Sequence, residues 1–251
     1  MHRVFGLIGK TLKHSFSKKY FEAKFQTENI QNCSYELFEL SDISAFENLV
    51  SSTKDLRGLN VTIPYKTEIL PYLNRLDTSA QKVGAVNVIK VEDQGLTGYN
   101  SDYYGFLESL RNWLPESNQP FKALILGTGG ASKAVQAVLI DLNIEYNFVS
   151  RTSSEEILSY DELNSNPQLY KEYSLIINTT PLGMFPDTNT SPALNYDLLT
   201  SDHLLYDLVY NPEETLFMQK GLNVGSKVKN GLEMLHLQAE KSWEIWNQES
   251  T

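Results

Sequence analysis

Three groups of residues in this chain have types and spacings that could do chemistry. The first lies in the run Ala123-Leu124-Ile125-Leu126-Gly127-Thr128-Gly129-Gly130-Ala131-Ser132-Lys133-Ala134. Its unbroken apolar stretch reads as a strand buried on both faces. The glycines that follow let the backbone turn tightly and approach a pyrophosphate at a helix N-terminus. The spacing is G-x-G-x-x-S, with Ser132 where the usual fingerprint has a third glycine, so on the motif alone an ordinary glycine turn stays open. A helical run over 131–142 and a second strand over 145–149 complete a βαβ unit and favour a dinucleotide site. The second group is Asn60, Thr62 and Lys66. A period of two puts Asn60 and Thr62 on one strand face, and Lys66 follows the strand's C-terminal end, where open α/β sheets bind ligands. Polar side chains inside a sheet are costly unless satisfied, so a bound polar ligand explains the spacing better than core packing. The third group is Ser15 and Ser17 at the positive end of a helix, with Ser17 as N-cap. Two hydroxyls there could seat a carboxylate or phosphate, although plain capping is the commoner use of such serines.

The elements that must position these groups follow from the apolar pattern. Strands over 4–8, 35–40 and 56–63 alternate with a helix from Ser17, carrying Tyr20, Phe21 and Phe25, and a helix over 43–50 capped by Ser41. Pro64 falls at a first-turn position of the helix that carries Lys66. Residues 83–91 and 96–102 read as two antiparallel strands around the turn Glu92-Asp93-Gln94-Gly95. Centring that turn between Asp93 and Gln94 sets Asn87 opposite Asn100, with Asp102 two residues on, as one polar cluster. A helix over 104–113 and a polar linker over 115–120, taken as the domain crossing, lead to the glycine turn. Beyond it come strands over 174–178, 204–210 and 225–229, a short helix over 215–220, and a final amphipathic helix over 232–246. That last helix carries Leu232, Leu235, Ala239, Trp243 and Trp246 on one stripe, which suits core packing, with Gln238 beside it.

At 251 residues and 41% hydrophobic, the chain is large enough for real cores. Its formal charge of −10 argues against nucleic acid or an anionic membrane as a partner, since both are bound through basic surface. The single Cys33 excludes an internal disulfide and suits a reducing compartment, and the four scattered histidines leave no zinc signature. No apolar run approaches the ~18 residues of a membrane span, and the first residues are too short for a secretory signal core. The expected location is cytoplasmic.

Eight motifs in order carry a resemblance. They are Gly9…His14-Ser15-Phe16-Ser17, Asn60-Val61-Thr62-Ile63-Pro64-Tyr65-Lys66, Gly84-Ala85-Val86-Asn87, Asn100-Ser101-Asp102-Tyr103-Tyr104-Gly105, the run Gly127 to Ala134, Asn178-Thr179-Thr180-Pro181-Leu182-Gly183-Met184, Asp207-Leu208-Val209-Tyr210-Asn211-Pro212, and Gly231…Met234-Leu235…Gln238-Ala239. From Phe5 to Ala239 the chain resembles the shikimate dehydrogenase family. The resemblance implies an α/β protein of two domains: an N-terminal substrate domain with a mixed, mainly parallel sheet, over 1–102 joined by 231–251, and a Rossmann-like domain over 103–230. It implies reduction of 3-dehydroshikimate to shikimate with NADPH, in the route to chorismate and aromatic amino acids, without metal. It also implies a small-molecule substrate, a monomer or homodimer, and a last helix that packs on the first domain.

Carried over by position, Lys66 and Asp102 are the catalytic pair. Ser15 and Ser17 hold the substrate carboxylate, while Asn60, Thr62, Asn87, Tyr210 and Gln238 bind the rest of the substrate. Cofactor contacts fall to Gly127, Thr128, Gly129, Gly130 and Ala131, then to Ser150, Arg151 and Thr152, and to Thr179, Pro181, Met184, Leu208 and Gly231. Hydride arriving at a ketone carbon leaves an oxyanion that needs a proton or a fixed positive charge, and Lys66 can supply either. The second cofactor strand ends without an acid, which favours NADP over NAD, and Arg151 suits a 2′-phosphate. The family's second basic residue is missing, however, and Ser153-Ser154-Glu155-Glu156 stands in its place. Those two acids repel a phosphate unless they start the next helix and face solvent. Thr11, Lys18, Ser101 and Phe217 also depart from the family pattern without removing a contact atom. Two alternatives remain: a quinate/shikimate dehydrogenase using NAD, and a non-catalytic sensor, which the presence of both Lys66 and Asp102 disfavours.

Overall fold

The computed structural model describes residues 2–12, 15–116 and 120–249. Lys13 and His14 of the first motif, and 117–119 of the expected linker, lie outside the described residues. The chain divides into two compact units, Met1–Tyr104 with Gln238–Thr251, and Gly105–Leu237.

The first unit is built on β1 (Arg3–Gly9), β2 (Cys33–Glu39), β3 (Leu56–Val61), β4 (Arg75–Leu76), β5 (Val88–Glu92) and β6 (Gly95–Tyr99), in the sheet order β2-β1-β3-β5-β6-β4. β1 pairs in parallel with β2 and β3, and β5 runs antiparallel to both β3 and β6. This register brings the exits of β1, β3 and β6 and the entry of β5 to the same end of the sheet. The alternation of β1 shows why the sheet is covered on both faces. Phe5 and Leu7 join Phe21, Phe25, Tyr35 and Trp246 in one core, and Ile8 joins Phe46, Leu59, Tyr65 and Ile89 in the other. Trp246 and Trp243 both belong to the first of these cores, where Trp246 stacks on Phe5 with centroids 4.9 Å apart.

Several boundaries differ from the sequence-based expectation, each for a local reason. Helix α1 (Phe16–Thr27) takes Ser15, not Ser17, as its N-cap, and Phe16 in its first turn stacks on Tyr20 with centroids 5.3 Å apart. Asp42 rather than Ser41 caps the turn leading to α2 (Phe46–Ser52), accepting from the Ser44 amide at 2.9 Å. Pro64 caps the four-residue α3 (Tyr65–Glu68) from outside instead of standing in its first turn. The expected strand over 83–91 is split, because Val83 closes α4 (Thr78–Val83) and Gly84 turns the chain with φ of 67°. Asp102 is helical: the Asn100 side chain accepts from the Tyr103 amide at 3.0 Å and so starts α5 (Ser101–Trp113) where a strand was expected to continue.

The second unit carries β7 (Lys122–Leu126), β8 (Glu145–Ser150), β9 (Ile157–Ser159), β10 (Leu175–Asn178), β11 (Leu204–Asp207) and β12 (Lys227–Lys229). Every pairing is parallel and the order is β12-β11-β10-β7-β8-β9. Renumbered from β7, that is the 3-2-1-4-5-6 order of the doubly wound dinucleotide fold. Its strands are apolar runs, as burial on both faces requires. Leu124, Leu126, Val149, Ile176 and Leu205 pack with Leu163 of α7 (Tyr160–Asn164), Tyr170 of α8 (Pro167–Glu172) and Phe217 of α9 (Leu216–Asn223). β11 stops at Asp207 rather than at 210, because the Asp207 carboxylate accepts from the Val209 amide at 3.0 Å and turns the chain. The unit boundary falls within α5 and within α10 (Leu232–Asn247), not in the polar stretch at 115–120.

Candidate active site

In the first unit the gathered strand ends carry Asn60, Thr62, Lys66, Asn87 and Asp102. Lys66 Nζ lies 2.7 Å from Asp102 Oδ2, and both side chains keep some solvent contact, 29% and 20%. The Lys66 carbonyl accepts from the Val86 amide at 2.7 Å, which fixes α3 against the segment that enters β5. Asp102 stands in the first turn of α5, where the helix dipole favours a carboxylate. The pair is thus an ammonium held by one oxygen of a positioned carboxylate, partly desolvated.

The polar residues around this pair are more fully bonded than sequence reasoning expected. Asn60 is buried, yet its Nδ2 donates to the Asn87 carbonyl at 3.3 Å and to Ser242 Oγ at 3.0 Å, and its Oδ1 accepts from Tyr35 at 2.7 Å. Both of its N–H bonds are spoken for, and one lone pair of Oδ1 is left for a ligand. Asn87 Oδ1 accepts from the Ser101 amide at 2.6 Å and its Nδ2 donates to Ser101 Oγ at 3.0 Å, which leaves one N–H. Gln238 Oε1 lies 3.4 Å from the same Ser101 hydroxyl. Thr62, just past β3, is half-buried. Asn100, by contrast, is wholly structural: its side chain caps α5 and donates to the Ala85 carbonyl at 2.9 Å.

Ser15 Oγ is the one buried side-chain polar atom without a partner among the described residues. An orphaned buried hydroxyl costs free energy unless something satisfies it. Here it sits at the N-terminus of a twelve-residue helix with no acid in its first turn, which is a seat for an anion. Tyr35 and Ser242 are the residues that sequence reasoning missed. Ser242 was within reach, four residues after Gln238 on the same helical face. Tyr35 gave no signal beyond that of an aromatic in an apolar strand.

The second unit gathers its own set at the C-terminal edge of the parallel sheet. Gly127 adopts φ of 97°, a conformation that favours glycine, and leads from β7 to Gly129, the cap of α6 (Gly130–Asp141). A Cβ built on Gly129 or Gly130 would meet nothing within 4 Å, so packing within the protein does not demand glycine there. Open space over a helix N-terminus with no side-chain capping bond and no acid in the first turn fits a pyrophosphate. Thr128 and Ala131 stand beside it, and Ser132, at the third-glycine position, is buried with its hydroxyl donating to the Gly129 carbonyl at 2.7 Å. Thr179 donates to the Leu126 carbonyl at 2.7 Å, tying the loop that carries Pro181 and Met184 to the end of β7. Gly231 approaches the Leu208 carbonyl so closely that a built Cβ would lie 2.1 Å from it. Tyr210 belongs to this unit, apart from the other proposed substrate contacts.

β8 ends at Ser150, and Arg151 and Thr152 follow, both exposed. Among the described residues the Arg151 guanidinium has no hydrogen bond or ion pair. Glu155 and Glu156 do not start a helix. They form the exposed turn closed by the Ser154 amide to the Ile157 carbonyl at 2.9 Å, and α7 begins later, behind a capping box of Ser159 and Glu162. Among the described residues no group of three or more His, Cys, Asp or Glu is arranged to hold a metal ion, and no helix is long and apolar enough to cross a membrane.

Beneath the loops after β10 and β11 lies a buried carboxylate without a cation. Asp207 accepts from Asn178 Nδ2 at 2.9 Å, from the Val209 amide at 3.0 Å and from Thr215 Oγ1 at 2.6 Å. Burial pushes its carboxyl up to about 6, against the pull of those three donors. A group raised in the folded state contributes stability that is fully present below its unfolded value near ~4 and is lost as pH rises through about 6. Asp207→Asn cannot ionise, and its amide oxygen can still accept from Asn178 and Val209. The variant is therefore expected to gain about 2–3 kcal/mol over the wild type between roughly pH 4 and pH 7.5, several degrees in Tm. Thermal melts of both proteins across that range check this, and a difference that stays constant with pH contradicts it.

The doubly wound sheet and its open glycine turn define a dinucleotide-binding α/β protein with a second, mixed-sheet unit. Comparisons give the particular family. A family model described as the shikimate dehydrogenase substrate binding domain matches residues 7–89. The shikimate dehydrogenase (NADP(+)) of Clostridium beijerinckii is 41% identical over 254 residues, covering 97% of this chain and 92% of that protein. The crystal structure of a chorismate mutase/shikimate 5-dehydrogenase fusion protein from Clostridium acetobutylicum is 36% identical with a TM-score of 0.87, over 100% of this chain and 92% of that one. Shikimate 5-dehydrogenase from Thermus thermophilus, crystallised in complex with NADP(H) and shikimate, is 29% identical with a TM-score of 0.82, over 98% of this chain and 93% of that one. This chain belongs to the shikimate dehydrogenase family.

Proposed function

We propose that the protein catalyses the reversible reduction of 3-dehydroshikimate to shikimate with NADPH, the first unit binding the substrate and the second the cofactor. The observation that carries the reading is the Lys66–Asp102 pair at 2.7 Å, at the same end of the sheet as Asn60, Asn87 and the segment bearing Ser15. The bound cofactor supplies the hydride; the second unit offers it Gly127 to Ala131 for the pyrophosphate, Ser150 to Thr152 for the adenosine end, and the Thr179, Pro181, Met184, Leu208 and Gly231 segments for the remainder. In the first unit, the Lys66 ammonium faces the substrate's C3 oxygen, stabilises the charge that develops there and gives up a proton to it. Asp102 keeps that ammonium in place. Ser15 and Ser17 hold the carboxylate, Asn60 accepts from a ring hydroxyl through its open lone pair, and Asn87 donates through its remaining N–H. Thr62 and Gln238 complete the proposed contacts of this unit.

Loss of NADPH absorbance on addition of 3-dehydroshikimate, with shikimate identified as the product, tests the proposal. No consumption above background with folded protein overturns it. Ser15→Ala and Ser17→Ala are expected to raise KM for shikimate by about 10-fold each, the scale of a charge-assisted hydrogen bond, with kcat changed less. A carboxylate remote from the reacting carbon is held alike in ground and transition states, so steady-state kinetics showing depressed kcat at unchanged KM would contradict that assignment.

A further inference from the structure

The hydroxyl-binding side of the first unit depends on a residue that no motif contains. Tyr35 stands on β2 with its ring stacked on Phe21, centroids 4.7 Å apart and planes at 14°. It is almost fully buried, and burial pushes its phenol far above the ordinary value, so it keeps its proton and remains a donor at any working pH. That proton goes to Asn60 Oδ1 at 2.7 Å. The other side of the Asn60 amide is fixed independently: the Asn87 main-chain carbonyl, 3.3 Å from Nδ2, can only accept, so the NH2 must face it and the oxygen must face Tyr35. Ser242 takes the second N–H of Asn60, passes its own proton to the Gln238 carbonyl at 2.8 Å and meets Ser101 Oγ at 3.2 Å. One buried chain of polar groups therefore runs from Tyr35 through Asn60 to Ser242 and Ser101.

We propose that Tyr35 is a positioning residue for substrate: its hydroxyl sets the Asn60 amide with one lone pair open to a ring hydroxyl. The inference rests on the shikimate reading of the site. Its consequence is that binding of a ring hydroxyl depends on a group that touches no part of the substrate.

Tyr35→Phe preserves the ring and its stacking, and removes only the hydroxyl. Steady-state kinetics of shikimate oxidation are expected to show KM for shikimate raised about 5- to 20-fold, kcat within about threefold, and KM for the nicotinamide cofactor unchanged. Adding Asn60→Ala to Tyr35→Phe is expected to raise KM by less than the product of the two single effects, because the hydroxyl acts through that amide. Ser242→Ala, at the other end of Asn60, is expected to raise KM for shikimate in the same direction with the melting temperature as its control. An unchanged KM in Tyr35→Phe, or equal losses in kcat and in both KM values alongside a lowered Tm, overturns the positioning role. Failure of the wild type to oxidise shikimate at all overturns the reading of the site instead.

Discussion

Lys66→Ala is expected to lower kcat by about 10²- to 10⁴-fold, the span lost with a positioned acid or base, while KM for shikimate changes far less. The reason lies in when the ammonium acts. A ketone oxygen carries little charge in the ground state and gains it as hydride arrives, so Lys66 interacts mainly with the transition state. Its distance of 2.7 Å to Asp102 makes the two a single device, and Asp102→Asn is expected to cost a comparable factor. The double variant should lose little more than either single one, because residues that act as a unit are not additive. Lys66→Arg separates the two duties of the ammonium: a guanidinium retains the charge but does not give up its proton. Recovery of most of the activity by Arg would assign the work to charge alone. Turnover by Lys66→Ala within a few-fold of wild type would remove Lys66 from the mechanism.

Arg151→Ala is expected to raise KM for NADP(H) by about 10-fold and leave NAD nearly untouched, as loss of one exposed charge-assisted contact to a 2′-phosphate would. Arg151 is exposed at the end of the second strand and has no partner among the described residues, which suits a side chain awaiting an anion. The preference for NADP should nevertheless be modest. Glu155 and Glu156 occupy the turn just beyond Thr152 instead of a helix start, and both are exposed there. Replacing both with Gln is the converse experiment, expected to lower KM for NADP through weaker repulsion, more visibly at low salt. Equal loss of both cofactors in Arg151→Ala contradicts this use of the loop and favours the NAD-using alternative.

Much of the architecture was legible in the residues, because burial on two faces writes itself as apolar runs and burial on one face as alternation. The strands around Leu124, Ile176 and Leu205 were plain for that reason, and the hairpin register at Glu92 and Gly95 followed from its turn. Boundaries were misread where a short polar side chain could serve either pattern. Asn100 alternates correctly for a strand, yet it caps α5 and carries Asp102 into a helix. Asp207 reads as the middle of an apolar strand and ends it by bonding the Val209 amide. Two serines flanking Phe16 are equally good caps on paper. Least legible was the bonding of Asn60, whose partners Tyr35 and Ser242 lie 25 and 182 positions away. The sequence marked Asn60 as a polar residue in need of a partner; the fold supplies several and leaves one lone pair open.

The most direct test of the account is a comparison of kcat/KM for the wild-type protein with shikimate and quinate, each against NADP and NAD. The account predicts the highest value for shikimate with NADP, a smaller but measurable value for shikimate with NAD, and little activity on quinate. A higher value for quinate with NAD than for shikimate with NADP would contradict it.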